Sequence, residues 1–285
     1  MLALRGFREH RRSNQYKLVV FLVYLRYHGG MFTDSHAHLT VDPVYPELEG
    51  IFQRAKESGV KTIFNICTDK ITLERGLKLM EERKGVYNVG ATTPHDVEKE
   101  GGLYFPLFEE AARKGQLVAI GETGLDYHYE HSPKKLQKTF LSRYFGLAEQ
   151  CHLPVVIHCR EAFEDLYQIA QRDFPKGKAV LHCFTGTMEE AEKGLERGWM
   201  ISFSGIVTFK RSEGLRAVAK EVPLNQILIE TDTPYLAPQT KRGKMNEPSF
   251  IPEVAQTIAN VKGIPLEKIA KITTDNAIRF FGIGH

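Results

Sequence analysis

The stretch 154-PVVIHCR-160, followed after a helical-looking segment by 179-AVLHCFTG-186, decides how the chain reads. Each is a short apolar run rich in β-branched residues, as in a strand buried on both faces, and each apolar run stops at a histidine. Between them, residues 161–172 place charged and apolar side chains at helical spacing. Strand, helix and strand in this order are a βα repeat.

The same unit recurs in both directions. Upstream stand MFTDSHAH (31–38), KTIFNICT (61–68), VYNVGATT (86–93) and LVAIGETG (117–124), and downstream WMISFSGIV (199–207) and QILIETD (226–232), which brings the candidate strands to eight. Residues 47–58, 70–83, 105–114, 134–151, 187–197 and 211–221 supply further helical segments, and Pro265 to Phe280 reads as an additional C-terminal helix. Eight βα units in about 250 residues match a (β/α)8 TIM barrel of the α/β class. An open doubly wound sheet would carry a glycine-rich phosphate loop after its first strand, and none is present.

In such a barrel the active-site residues come from the C-terminal ends of the strands. The unusual side chains of this chain sit there: Asp34, His36 and His38 on strand 1, Glu122 and Asp126 on strand 4, His158 and Arg160 on strand 5, His182 on strand 6, and Glu230 and Asp232 on strand 8. Residues two apart on a strand point the same way, so His36 and His38 face the mouth together. Imidazoles and carboxylates from five strands would be costly to bury without compensation, and a divalent cation supplies it. The donor set suits zinc, manganese and similar ions, and no cysteine-rich set points to a closed structural zinc site. Four histidines and two acids exceed one tetrahedral shell, so two divalent ions are expected, with Glu122 or Asp232 as the bridge.

Composition bounds the rest. The 285 residues are 42% hydrophobic, enough for one large domain or two small ones. The four cysteines, Cys67, Cys151, Cys159 and Cys183, form no CxxC pair, which points to a reducing compartment and so to the cytoplasm. The net charge is +3, but residues 1–30 hold six Arg or Lys against one acid, +5, leaving −2 for the remainder. A near-neutral body has no global nucleic-acid footprint, so phosphate binding has to be local. The run KLVVFLVYL (17–25) has eight consecutive apolar residues, far short of the roughly 20 that span a bilayer. RYHGG follows it without a small-residue cleavage site, so residues 1–30 read as a weakly packed extension, with Met31 opening a domain over 31–285. No membrane association is expected, and a monomer is the default.

At this point the blocks TDSHAHL (33–39), GETGLDYH (121–128), PVVIHCR, LHCFTG (181–186), ETDTPYLAP (230–238) and RGKMNEP (242–248), in this order, resemble the TatD-type metal-dependent deoxyribonucleases among the amidohydrolase-like barrels. The resemblance implies one ion held by His36, His38, Glu122 and Asp232 and a second held by Glu122, His158 and His182, with Glu122 bridging. It also implies 3′–5′ exonuclease action on single-stranded DNA. The chain departs from the family pattern at Thr123, usually apolar, at Thr185, often Ser, and in GATTPH (90–95), where the histidine usual just before the proline is missing and His95 stands after it.

Chemistry then assigns roles. Divalent ions make water acidic enough to attack a phosphodiester near neutral pH and neutralise charge on the phosphoryl oxygens. Asp232 is the expected acceptor of the water's proton; Glu122 is the less suited base, because bridging occupies its lone pairs. Arg160, Arg242 and Lys244 are the cations expected near the mouth to contact phosphate, with His95 and His128 as further substrate contacts. Asn246 and Glu247 order the last loop or support the ligands, and Tyr127, His128 and Phe184 either stack on a base or pack. The competing reading is an amidohydrolase-type lactonase or cyclic amidase with the same metal site. Many two-metal members of that class bridge with a carbamylated lysine, which strand 4 lacks.

Overall fold

The computed structural model describes residues 32–284, so the expected extension over 1–30 and the start at Met31 lie outside the described residues. Eight strands form one parallel sheet in the order of the chain: β1 (Phe32–Ala37), β2 (Val60–Cys67), β3 (Val86–Gly90), β4 (Ala119–Asp126), β5 (Val155–Arg160), β6 (Ala179–Leu181), β7 (Met200–Phe203) and β8 (Ile227–Ile229). The ring is nearly closed between β1 and β8 at the mouth, where Ala37 bridges Thr233, His38 N donates to Thr233 O at 2.8 Å and Asp232 N donates to His36 O at 2.9 Å. This is the expected (β/α)8 barrel.

Helices cover its outside: α1 (Leu48–Glu57), α2 (Lys70–Glu82), α3 (Gly102–Arg113), α4 (Lys134–Cys151), α5 (Phe163–Asp173), α6 (Met188–Glu196), α7 (Glu213–Glu221), α8 (Ile251–Lys262) and α9 (Leu266–Phe281). The expected C-terminal helix is α9. Helix α8 has no counterpart among the helical segments expected from sequence, although Pro252 in its first turn and Gly263, left-handed at its end, are start and stop signals.

Alternation along the strands divides the core. Ile157, Leu181, Ile201, Ile227 and Ile229 pack outward with the helices in one cluster. Their neighbours Val156, Val180, Met200 and Leu228 pack with Phe64, Ile66, Val89, Phe280 and Phe281 in a second cluster that fills the barrel. The end of α9 plugs the bottom, with the Phe281 ring 3.7 Å from that of Phe64. Two residues up the chain from Val156, Val180 and Leu228 come His158, His182 and Glu230, so period-2 alternation carries the same inner face from apolar filling to polar mouth.

Candidate metal centre

Each strand end delivers its side chain for a local reason. Glu122 lies in β4 at an irregularity in the pairing with β5, between Ile120 and Thr123, which re-aims the side chain. Gly124 sits at φ +149° with His158 O so near that a Cβ would lie 1.9 Å from it, so this close approach of β4 to β5 admits only glycine. Asp232 has φ +61°, a left-handed turn just past β8 that faces its carboxylate toward β1.

The six expected ligands, His36, His38, Glu122, His158, His182 and Asp232, converge. Nε2 of His36 and Nε2 of His38 are 3.2 Å apart. Asp232 Oδ1 is 3.6 Å from the first and 3.5 Å from the second, and Glu122 Oε2 is 3.5 and 3.7 Å from them. Four donors around one ion at about 2.1 Å stand about 3.4 Å apart; His36, His38 and Asp232 lie close enough to share one ion, with Glu122 Oε2 at a similar distance from both histidines. The other oxygen of Glu122, Oε1, is 2.8 Å from His158 Nδ1 and 2.9 Å from His182 Nε2, which are 3.4 Å from each other. Glu122 therefore spans two donor clusters, one oxygen to each.

The electrostatics fit cation binding. Two imidazole nitrogens face each other across 3.2 Å, a gap that either a shared proton or a shared cation fills, and the opposite nitrogen of His36, Nδ1, is buried with no partner. Burial and the neighbouring His182 hold the His36 imidazole below its ordinary pKa, which keeps it a lone-pair donor. Burial opposes the charge on Glu122, but His182, His158 and His36 outweigh it and hold the carboxyl well below the usual range. Burial likewise opposes charge on His182, yet Glu122 and Glu230 raise it well above an ordinary imidazole.

Two acids that sequence marks only as strand-end groups take definite places. Asp126 Oδ2 accepts from His158 Nε2 at 2.8 Å, leaving Nδ1 turned toward Glu122. Glu230 accepts from His182 Nδ1 at 3.2 Å, from the Cys183 backbone N–H at 2.7 Å and from Ser202 at 2.5 Å, leaving Nε2 turned inward. Both are carboxylate–histidine pairs of the kind that fix ring orientation and tautomer in metal sites. His95, Asp126 and His158 also lie close enough to share an ion, but there Asp126 engages the nitrogen of His158 that faces away from Glu122, so the triad backs the centre. Asp34 stands apart: it accepts from Thr231 N at 2.9 Å and Thr231 Oγ1 at 2.5 Å and so ties β1 to β8. Burial pushes its carboxyl up to about 7 against those hydrogen bonds.

The centre opens into a cavity of about 770 Å³. Its wall includes His95 and Arg160, whereas His128, Arg242 and Lys244 stand outside it: His128 pairs with Glu161 at 2.8 Å on the rim, and the Arg242 guanidinium packs over Phe209 at 4.7 Å. Tyr127 donates to Asp165 at 2.6 Å and Phe184 is buried against Phe163, so both pack. The aromatic faces offered to the cavity are instead Tyr129 and Tyr235, 54% and 56% exposed, with Arg160 over the Tyr129 ring at 4.8 Å. Glu247 is held from α1 by a bidentate contact with Arg54, 2.9 Å from Nε and 2.6 Å from Nη2, and Asn246 Nδ2 donates to Thr231 O and Tyr235 O at 2.6 Å, so both order the β8 loop.

The family model described as "TatD related DNase" matches residues 33–282. The chain is 38% identical over 254 residues to the uncharacterized metal-dependent hydrolase YabD of Bacillus subtilis (strain 168), covering 89% of this chain and all of that one. It is 32% identical over 257 residues to the 3′-5′ ssDNA/RNA exonuclease TatD of Erwinia tasmaniensis, covering 88% of this chain and 99% of that one. The crystal structure of YJJV, a TatD homologue from Escherichia coli K12, superposes with a TM-score of 0.84 at 27% identity, covering 89% of this chain and 99% of that one.

Proposed function

This chain belongs to the TatD-related DNase family and is a metal-dependent hydrolase, and from that premise we propose that it removes nucleotides from the 3′ end of single-stranded DNA with two divalent ions. The observation that carries the reading is Glu122, whose two oxygens reach two separate donor clusters. His36, His38, Asp232 and Glu122 would hold one ion, and Glu122, His158 and His182 the other. Bound there, magnesium, manganese or zinc supplies the acidity that ionises water near neutral pH and the charge that steadies a phosphoryl group in displacement.

The residues of the chain supply the rest. Both oxygens of Glu122 are engaged, so Asp232, at the cavity wall, takes the proton of the attacking water. Arg160 and His95 line the same wall and meet the phosphate. A lysine bridge of the lactonase or cyclic amidase kind has no candidate in β4, whose residues are AIGETGLD. The hydrolase unit is taken as residues 31–285, acting as a monomer in the cytoplasm; among the described residues no helix is long and apolar enough to cross a membrane.

The test is a 5′-labelled single strand incubated with the purified full chain and Mg²⁺, Mn²⁺ or a chelator. A ladder shortening from the 3′ end only with metal, and lost by about 10²-fold or more in Asp232→Asn, is expected. Absence of any metal-dependent cleavage would sink the proposal.

A further inference from the structure

The connections above the barrel mouth are electrically lopsided. Those after β1 to β4, residues 38–47, 68–69, 91–101 and 127–133, hold seven acids and one lysine, none of them buried. Residues 204–212 after β7 and 233–246 after β8 hold five cations, Lys210, Arg211, Lys241, Arg242 and Lys244, and no acid. Lys241 lies 3.8 Å from Glu253, but among the described residues the other four have no carboxylate within 4.0 Å, and all four are exposed.

The two loops form one surface. Gln239 N donates to Thr208 Oγ1 at 2.8 Å, Lys210 N donates to Gln239 Oε1 at 3.2 Å, and Arg242 stacks on Phe209. Gly205 packs so tightly on Leu236 that a Cβ would lie 2.0 Å from its carbonyl oxygen. The same segments furnish Ile206, Tyr235 and Leu236 to the cavity wall, so the basic rim runs without a break into the cavity beside Asp232. Four exposed cations without a carboxylate partner, on two loops that pack together at the edge of a catalytic cavity, make a local positive field that attracts a polyanion.

We infer that this β7–β8 rim is a phosphate track for a polynucleotide strand: the terminal nucleotide enters the cavity against Tyr235 while the phosphates behind it lie along Lys210, Arg211, Arg242 and Lys244. This rests on the nuclease reading and deepens it, because it makes the substrate a strand of several nucleotides that crosses the mouth on one side. Asp42 pairs with Arg75 and Glu130 with Lys134, but among the described residues the other five acids of the connections after β1 to β4 have no cation within 4.0 Å and repel a strand on that side. Backbone contacts of this kind set affinity and register and carry no base preference.

The test compares the full chain with its Lys210→Gln/Arg211→Gln variant, so that the cations of residues 1–30 are common to both. Binding of a fluorescein-labelled 20-nucleotide single strand and of a dinucleotide is followed by anisotropy with chelator present, across a salt series. The track requires the 20-mer to bind more tightly than the dinucleotide. It also requires the variant to lose about 1.4 from the slope of log affinity against log salt, and about tenfold in 20-mer affinity near 0.15 M salt, at roughly 0.7 per phosphate contact. Dinucleotide binding should not change. Equal slopes for parent and variant, or equal affinity for both lengths, would overturn the track. Cleavage with metal is scored separately, so strand binding without hydrolysis would remove the nuclease reading and leave the track standing.

Discussion

His158 donates Nε2 to Oδ2 of Asp126 across 2.8 Å, and this one contact decides which of its nitrogens faces Glu122. Asp126 is itself held by the backbone N–H groups of His128 and Tyr129, at 3.0 and 2.8 Å, so the ring is anchored to the start of the β4 loop. Burial opposes its charge, yet His158 and the Tyr129 amide bring its carboxyl down to about 2, so it remains a carboxylate over the whole neutral range. Asp126→Asn, which keeps the shape but weakens the pull on the ring proton, is expected to lower metal affinity by about 10- to 100-fold. Titration against a fluorescent metal indicator checks it; unchanged affinity would make Asp126 a loop anchor only.

Loading with metal should release protons. His182 is raised well above an ordinary imidazole, against its burial, by Glu122 and Glu230, so without an ion it holds a proton through neutral pH. An ion at Nε2 displaces that proton, and apparent affinity therefore falls as pH is lowered. Calorimetry in two buffers of different ionisation heat measures the release, which Glu230→Gln should reduce. A buffer-independent heat would contradict the assignment of His182 as a ligand.

The clamp between Arg54 and Glu247 is a stability element. Glu247 is buried and also accepts from Ser249, so Arg54→Ala leaves a carboxylate without its main partner; because Arg54 is half exposed, water recovers part of the loss. A loss of about 1 to 3 kcal/mol in denaturant unfolding is expected.

At the other end of the barrel, Phe281→Ala should cost about 3 to 5 kcal/mol by emptying the plug under Phe64. Metal affinity of the folded variant should match the parent, since the plug and the centre are separated by the apolar layer of Val156, Val180 and Leu228. A parallel drop in affinity would show that the two ends are coupled.

Much of this was legible along the chain, for reasons of short range. A strand's period of two is local, so PVVIHCR already places His158 on the face of Val156, and eight such runs with helical segments between them leave few folds other than a barrel. The candidate ligands are visible because a polar residue ending an apolar strand is out of pattern. Helix α8 escaped because its start at Pro252 follows directly on a loop carrying Pro234, Pro238, Gly243 and Pro248, which reads as one long connection. What sequence could not settle is whatever depends on groups brought together from distant strands. That Asp126 and Glu230 each orient a histidine, while Asp34, equally buried and equally at a strand end, ties β1 to β8 through Thr231, follows from barrel closure across 197 residues of chain. The exposed faces of Tyr129 and Tyr235 and the shared cationic edge of the β7 and β8 loops have the same origin. Pattern along a strand fixes which face a side chain takes; only the closed sheet determines what it meets there.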